Sequence, residues 1–98
     1  MEIQKNGNDG MPKFPLGRIV ATACAIEMIP PEEIRHALYR HVSGDWGNLD
    51  DYDREQNAMA LKGSGRLFSV YHTEAGKKFY VITEHDRSVT TVLLPEDY

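Results

Sequence analysis

Cysteine is almost missing from the chain. Cys24 is the only one among 98 residues, which excludes an intrachain disulfide and any zinc site built on cysteine pairs. Its neighbours Ala23, Ala25 and Ile26 mark it as a small buried hydrophobe, and no adjacent cation lowers its thiol pKa toward a nucleophile. Long apolar runs are missing too: nothing approaches the ~18 residues that span a bilayer, and the first residues hold no apolar stretch of a secretory signal. A cytosolic protein with no membrane partner is the expectation. Gly63-Ser64-Gly65 lacks the lysine that completes a phosphate-cradling loop, so it reads as a helix stop, and no cofactor is expected. Cations are outnumbered, 11 Lys and Arg against 15 Asp and Glu, for a net charge of -4. A protein that grips nucleic acid through its phosphates carries the opposite balance, which disfavours nucleic acid unless the cations gather on one face.

What is present suffices for one core, since 41% of residues are hydrophobic. Residues 1–13 hold too few apolar positions to offset the entropy of ordering them and read as a disordered tail before a single domain over 14–98. GRIVATA reads as a strand covered on both sides, and CAIEMIPP as a single helical turn at most. In PPEEIRHALYRHVSG, residues Ile34, Ala37, Leu38, His41 and Val42 form one stripe at helical spacing; acids open the segment, cations close it, and Gly44 stops it. A second helix follows, capped by Asn48 or Asp50, with Tyr52, Gln56, Met59 and Ala60 as its weaker, half-buried stripe. From Arg66 the period changes to two through RLFSVYH, KKFYVIT and SVTTVLL, an antiparallel meander. The expected fold is α+β, two helices packed on an antiparallel sheet in the order β-α-α-β-β-β.

Two clusters stand out as candidate sites. Glu84, His85, Asp86 and Arg87 fall between two strands, where a solvent-facing turn calls for polar residues whether or not chemistry happens there. Arg87 with Thr90 or Thr91 could bind an anionic group, though adjacent strand positions face opposite ways. With His72, these groups could instead supply the acid, base and cation of a metal-independent ribonuclease: His72, Glu84, His85 and Arg87. The second cluster is HVSGDWGNLDDYD. There Asp45, Asp50, Asp51 and Asp53 surround Trp46 and Tyr52, either as a capped helix start over a tucked indole or as an acidic, aromatic patch for a basic protein surface. His36 and His41, five apart, diverge by roughly 140° around a helix and make no metal pair, so no metal site is expected.

FPLGRIVAT, the PPEEI segment, SGDWG and ITEHDRSVTTVLLPEDY together resemble a family of small proteins coded on plasmids and integrative elements, labelled plasmid-related or as restriction-modification subunits. The likeness covers residues 14–98. It implies a mobile-element context and brings no catalytic residues with it. The order of elements from Pro31 to Leu94 is also similar to that of RelE and ParE type toxins, in arrangement alone. Two functions follow as expectations: a non-enzymatic protein-interaction module, such as a modulator of a host defence complex, or the ribonuclease toxin. A protein partner is expected, its identity and the oligomeric state being open; a homo-oligomer through an exposed sheet edge is a third arrangement.

Overall fold

Residues 11–98 are described by the computed structural model. In chain order they form β1 (Arg18–Ala21), α1 (Ala23–Met28), α2 (Pro31–Val42), α3 (Asp51–Lys62), β2 (Leu67–His72), β3 (Lys78–Thr83), β4 (Val89–Leu93) and a 3-10 turn at Pro95–Asp97. The strands make one sheet in the order β1-β4-β3-β2. β3 lies antiparallel between β2 and β4, whereas β1 runs parallel to β4 with Ile19 beside Thr90 and Ala21 beside Val92. The expected order β-α-α-β-β-β on an antiparallel sheet is therefore corrected in two respects: there are three helices, and the sheet is mixed. Thr22 is the cause of the extra helix. Its hydroxyl accepts the Ala25 N–H at 3.1 Å, so the segment after β1 winds into α1 instead of a lone turn. The mixed sheet follows from β4, which lies inside the sheet and takes β1 as its second neighbour. Most of the chain lies between those two strands, and a connection that long lets them run parallel.

Side chains alternate across the sheet, which separates two faces. Leu67, Ser69, Tyr71, Phe79, Val81, Thr83, Thr90 and Val92 share the face covered by α1 and α2, where Ala25, Ile29 and Ala37 complete the packing. Each large apolar side chain buried there contributes roughly 1.5–3 kcal/mol relative to exposure. α2 behaves as its stripe demands: Pro31 opens it, Glu32 and Glu33 occupy the first turn, and Ala37 and His41 reach the core. Gly44 adopts φ +88 just beyond the last turn. Cys24 is exposed, not buried as its neighbours suggested, because Ala25 takes the inward position of α1.

β1 was expected to be covered on both sides, yet it is the outermost strand, with Arg18 and Ile19 exposed. The opposite edge is closed. Along β2, the Val70 N–H donates to the Trp46 carbonyl at 3.1 Å, and the Val70 carbonyl accepts from Asn48 N at 2.8 Å. Next to them Phe68 exchanges hydrogen bonds with the Asn57 side chain of α3, 3.2 Å at its N–H and 2.8 Å at its carbonyl. An amide side chain here does what a neighbouring strand would do.

Of the expected tail, residues 1–10 lie outside the described residues. Lys13, still within that tail, donates its N–H to the Val42 carbonyl at the end of α2, 2.8 Å away. No helix among the described residues is long and apolar enough to cross a membrane.

Candidate functional site

His41 is fully buried at the centre of the molecule, as its place on the apolar stripe implied, but the polar column it joins has no sign in the sequence. Its Nδ1 lies 2.6 Å from the Ser69 hydroxyl and its Nε2 2.9 Å from the Thr83 hydroxyl, which is 2.7 Å from that of Thr90. Thr90 in turn donates to the Leu16 carbonyl at 2.7 Å. A carbonyl can only accept, so the direction of the whole column follows. Thr90 spends its proton on Leu16, Thr83 donates to Thr90, His41 donates from Nε2 to Thr83, and the bare Nδ1 accepts from Ser69. Burial pushes the ring's pKa down to about 3, so it is a neutral imidazole, and with its one proton on Nε2 the Nδ1 is left bare to accept. Phe14 and Trp46 close over it edge-on. This column holds α2 to the sheet and to the chain before β1.

The residues of the nuclease reading do not converge. His72 ends β2 opposite Lys78, whereas Thr83 and then Glu84 stand at the other end, opposite Leu67. Five strand steps separate them, about 17 Å at ~3.3 Å per residue. His72 is engaged with the Asn48 amide at 3.1 Å, and His85 is exposed in the β3–β4 turn. Arg87 is committed inward. Its Nη1 donates to the carbonyls of Gly65 at 2.6 Å, Glu84 at 3.1 Å and His85 at 3.2 Å, and its Nη2 to Ala60 at 2.9 Å. Its guanidinium also lies over the Phe14 ring, 5.8 Å from the centroid. The side chain therefore ties the C-terminal end of α3 to the turn, and Arg87 accepts a φ of +62 to do so. Glu84 pairs with Arg66 at 3.5 Å, and the Asp86 carboxyl is held below its usual range by its hydrogen bonds with Ser88. Thr90 is buried in the His41 column, with Thr91 on the opposite face.

In the acidic loop, Trp46 is 7% exposed and stacks on Phe14. Arg40 grips Asp45 at 2.8 Å while lying 4.6 Å from the Tyr71 ring, and that hydrogen bond holds the Asp45 carboxyl below its ordinary range. Asp50 caps α3 by accepting the Asp53 N–H at 2.9 Å. Asp51 is free to face solvent in the first turn.

Sequence reasoning found only one end of the exposed surface on α3, the acids around Tyr52, and missed the rest of the row. The helix's inward residues are Asn57 and Ala60, whereas Tyr52, Gln56 and Met59 of the expected half-buried stripe point out, Tyr52 at 70% and Met59 at 62% exposure. The helix is turned to this angle because Asn57 must face Phe68 to close the β2 edge. Glu55 joins Tyr52 and Met59 at three- and four-residue spacing, and Asp51 extends the row. Beside it runs a groove of about 350 Å³ between α3 and the sheet face opposite α1 and α2, lined by Asp53, Gln56, Arg66, Phe68, Ile82 and Tyr98. A larger cleft of about 420 Å³ between α2 and the β2–β3 hairpin is lined by Glu32, Glu33, His36, Arg40, Tyr71 and His72. Among the described residues no three His, Cys, Asp or Glu stand together where they could hold a metal ion. Set beside known proteins, the chain matches no family model, no curated protein and no solved structure.

Proposed function

We propose that the protein is a non-enzymatic protein-interaction module and that its contact surface is the outer side of α3 with the adjoining groove. The observation that carries this reading is the orientation of α3. An amphipathic helix normally buries its large apolar residues, but here a polar Asn57 faces in while Tyr52 and Met59 face out. Tyr and Met are among the side chains most used at the centre of protein contacts. Asp51, Asp53 and Glu55 flank them, so the fitting partner offers an apolar pocket rimmed by Lys or Arg. The mobile-element resemblance supports placing that partner in a host defence complex. No observation favours the ribonuclease alternative, whose four residues lie at two ends of the sheet.

Capture from host lysate tests the reading. The wild-type chain should retain a partner that is released by salt, Tyr52→Lys and Met59→Lys should lose it, and Tyr39→Lys, on the exposed side of α2, should keep it. An identical capture pattern for all four proteins would refute the α3 surface. Chelator-resistant RNA cleavage lost in His72→Ala would replace the reading altogether.

A further inference from the structure

The two edges of the sheet are treated differently. Main chain and an amide side chain close β2, but no described residue pairs with the outer edge of β1. Arg18 N–H donates to the Ser88 carbonyl at 2.9 Å and Thr22 N–H to the Val92 carbonyl at 3.0 Å, so the even positions turn their backbone groups toward β4. By alternation, the N–H and C=O groups of Ile19 and Ala21 point away from the sheet. An edge meant to stay single is usually very short or carries a charge, a proline or a bulge. β1 is short and carries Arg18 but neither proline nor bulge, and beside that charge stands Ile19, 51% exposed.

We infer that β1 is the seam of a homodimer, pairing antiparallel with a second copy about Val20 so that each Arg18 meets the partner's Asp97. The register is set by the strand itself. Centring on Val20 places Ile19 opposite Ala21, which gives every outward N–H and C=O a partner. Shifting it either way would draw in Gly17, whose φ of +66 breaks the strand, or Ala23, which begins α1. Centring on Val20 also places Arg18 opposite Thr22, and directly opposed residues share a face with Cβ atoms about 4.5–5.5 Å apart. The Thr22 hydroxyl donates to the Asp97 carboxylate at 2.6 Å, and this hydrogen bond keeps the acid ionised below its usual range. Arg18 makes no ion pair among the described residues. Each end of the seam therefore brings an unpaired cation to an anchored anion, and Val20 packs on its own copy at the centre. A second copy supplies this complementarity through symmetry alone. The seam is short, so association belongs to the weak, reversible class.

Sedimentation equilibrium of the full chain over a wide concentration range, joined to amide hydrogen exchange, tests the seam. The mass should rise from monomer to dimer. Protection of the Ile19 and Ala21 amides should rise with it, while the Val20 amide, inside the ladder to β4, stays protected throughout. Ile19→Pro removes an outward donor without touching the bonds to β4, and Arg18→Glu turns the attraction to repulsion; both should abolish self-association. Arg18 is exposed and unpaired, so Arg18→Glu keeps the test decisive if Ile19→Pro perturbs folding. A monomer at every concentration would overturn the inference. So would concentration-independent protection of Ile19 and Ala21, which would point to residues 1–10 as the cover. A dimer indifferent to both substitutions would place the contact elsewhere and overturn it as well. The α3 surface stands or falls by its own variants.

Discussion

A histidine sealed between hydroxyls is a pH-dependent element of stability as well as a packing residue. Above its ordinary pKa of 6.5, His41 is neutral in both folded and unfolded chains and imposes no penalty. Below that, the unfolded chain takes up a proton that the folded one refuses until about pH 3, so stability falls as pH falls across this window. The slope is about 1.4 kcal/mol per pH unit for the one proton involved. Asp45 and Asp97, whose carboxyls are held low, lose their contribution only further down, so the upper part of the window belongs to His41. Urea midpoints measured between neutral pH and the start of carboxyl titration should therefore decline in the wild type. In His41→Leu the decline should be shallower by that one proton, from a lower starting stability, because the Ser69 hydroxyl loses its partner while Thr83 keeps Thr90. The orphaned hydroxyl costs about 1–3 kcal/mol. A wild-type slope matching that of His41→Leu would mean that the ring is protonated in the native protein.

The elements differ in how far the sequence reveals them, and the difference follows the range of the interactions that shape them. α2 is readable because its stripe, terminal charges and stop glycine all lie within one short segment. α3 is readable as a helix for the same reason, yet its rotation is not: Asn57 is drawn inward by Phe68, eleven residues on, and no periodicity records that tie. Arg87 shows the same limit. Its charge and turn position suggested an accessible rim, but the carbonyls it bridges come from α3, the residues after it and the turn, which only the folded chain assembles. The parallel placement of β1 joins the two ends of the domain and has no local sign at all. For α3 the consequence can be measured. Asn57→Leu improves the apolar pattern on paper but leaves both backbone groups of Phe68 without their partner, and should cost about 2 kcal/mol. Faster exchange of the Phe68 amide should accompany the loss. If Asn57→Leu were as stable as the wild type, apolar packing and not edge closure would set the orientation of α3.

At the scale of the whole molecule, two glycines seat the outer segments on the sheet. Gly17 lies where the chain comes down beside β4; a Cβ there would overlap the carbonyl oxygens of Arg87 and Ser88, at a φ of +66 that side chains disfavour. Gly47 lies where the loop meets β2, with φ +72 and no room against the Val70 carbonyl and the Tyr71 ring. Alanine at either position should destabilise the fold, but the two should fail differently. Gly17→Ala lifts β1 from β4, so the Arg18, Val20 and Thr22 amides should lose protection while the β2–β3 amides keep theirs. Self-association through β1 should disappear with them. Gly47→Ala lifts the lid from β2 and bares the outward groups of Val70 beside Phe68. That creates a new open edge in an apolar setting, and such an edge invites uncontrolled strand pairing. Light scattering on heating should therefore show aggregation in Gly47→Ala at temperatures where Gly17→Ala stays clear. The reverse order would mean that the β1 side, not the β2 side, shields the sheet from other chains.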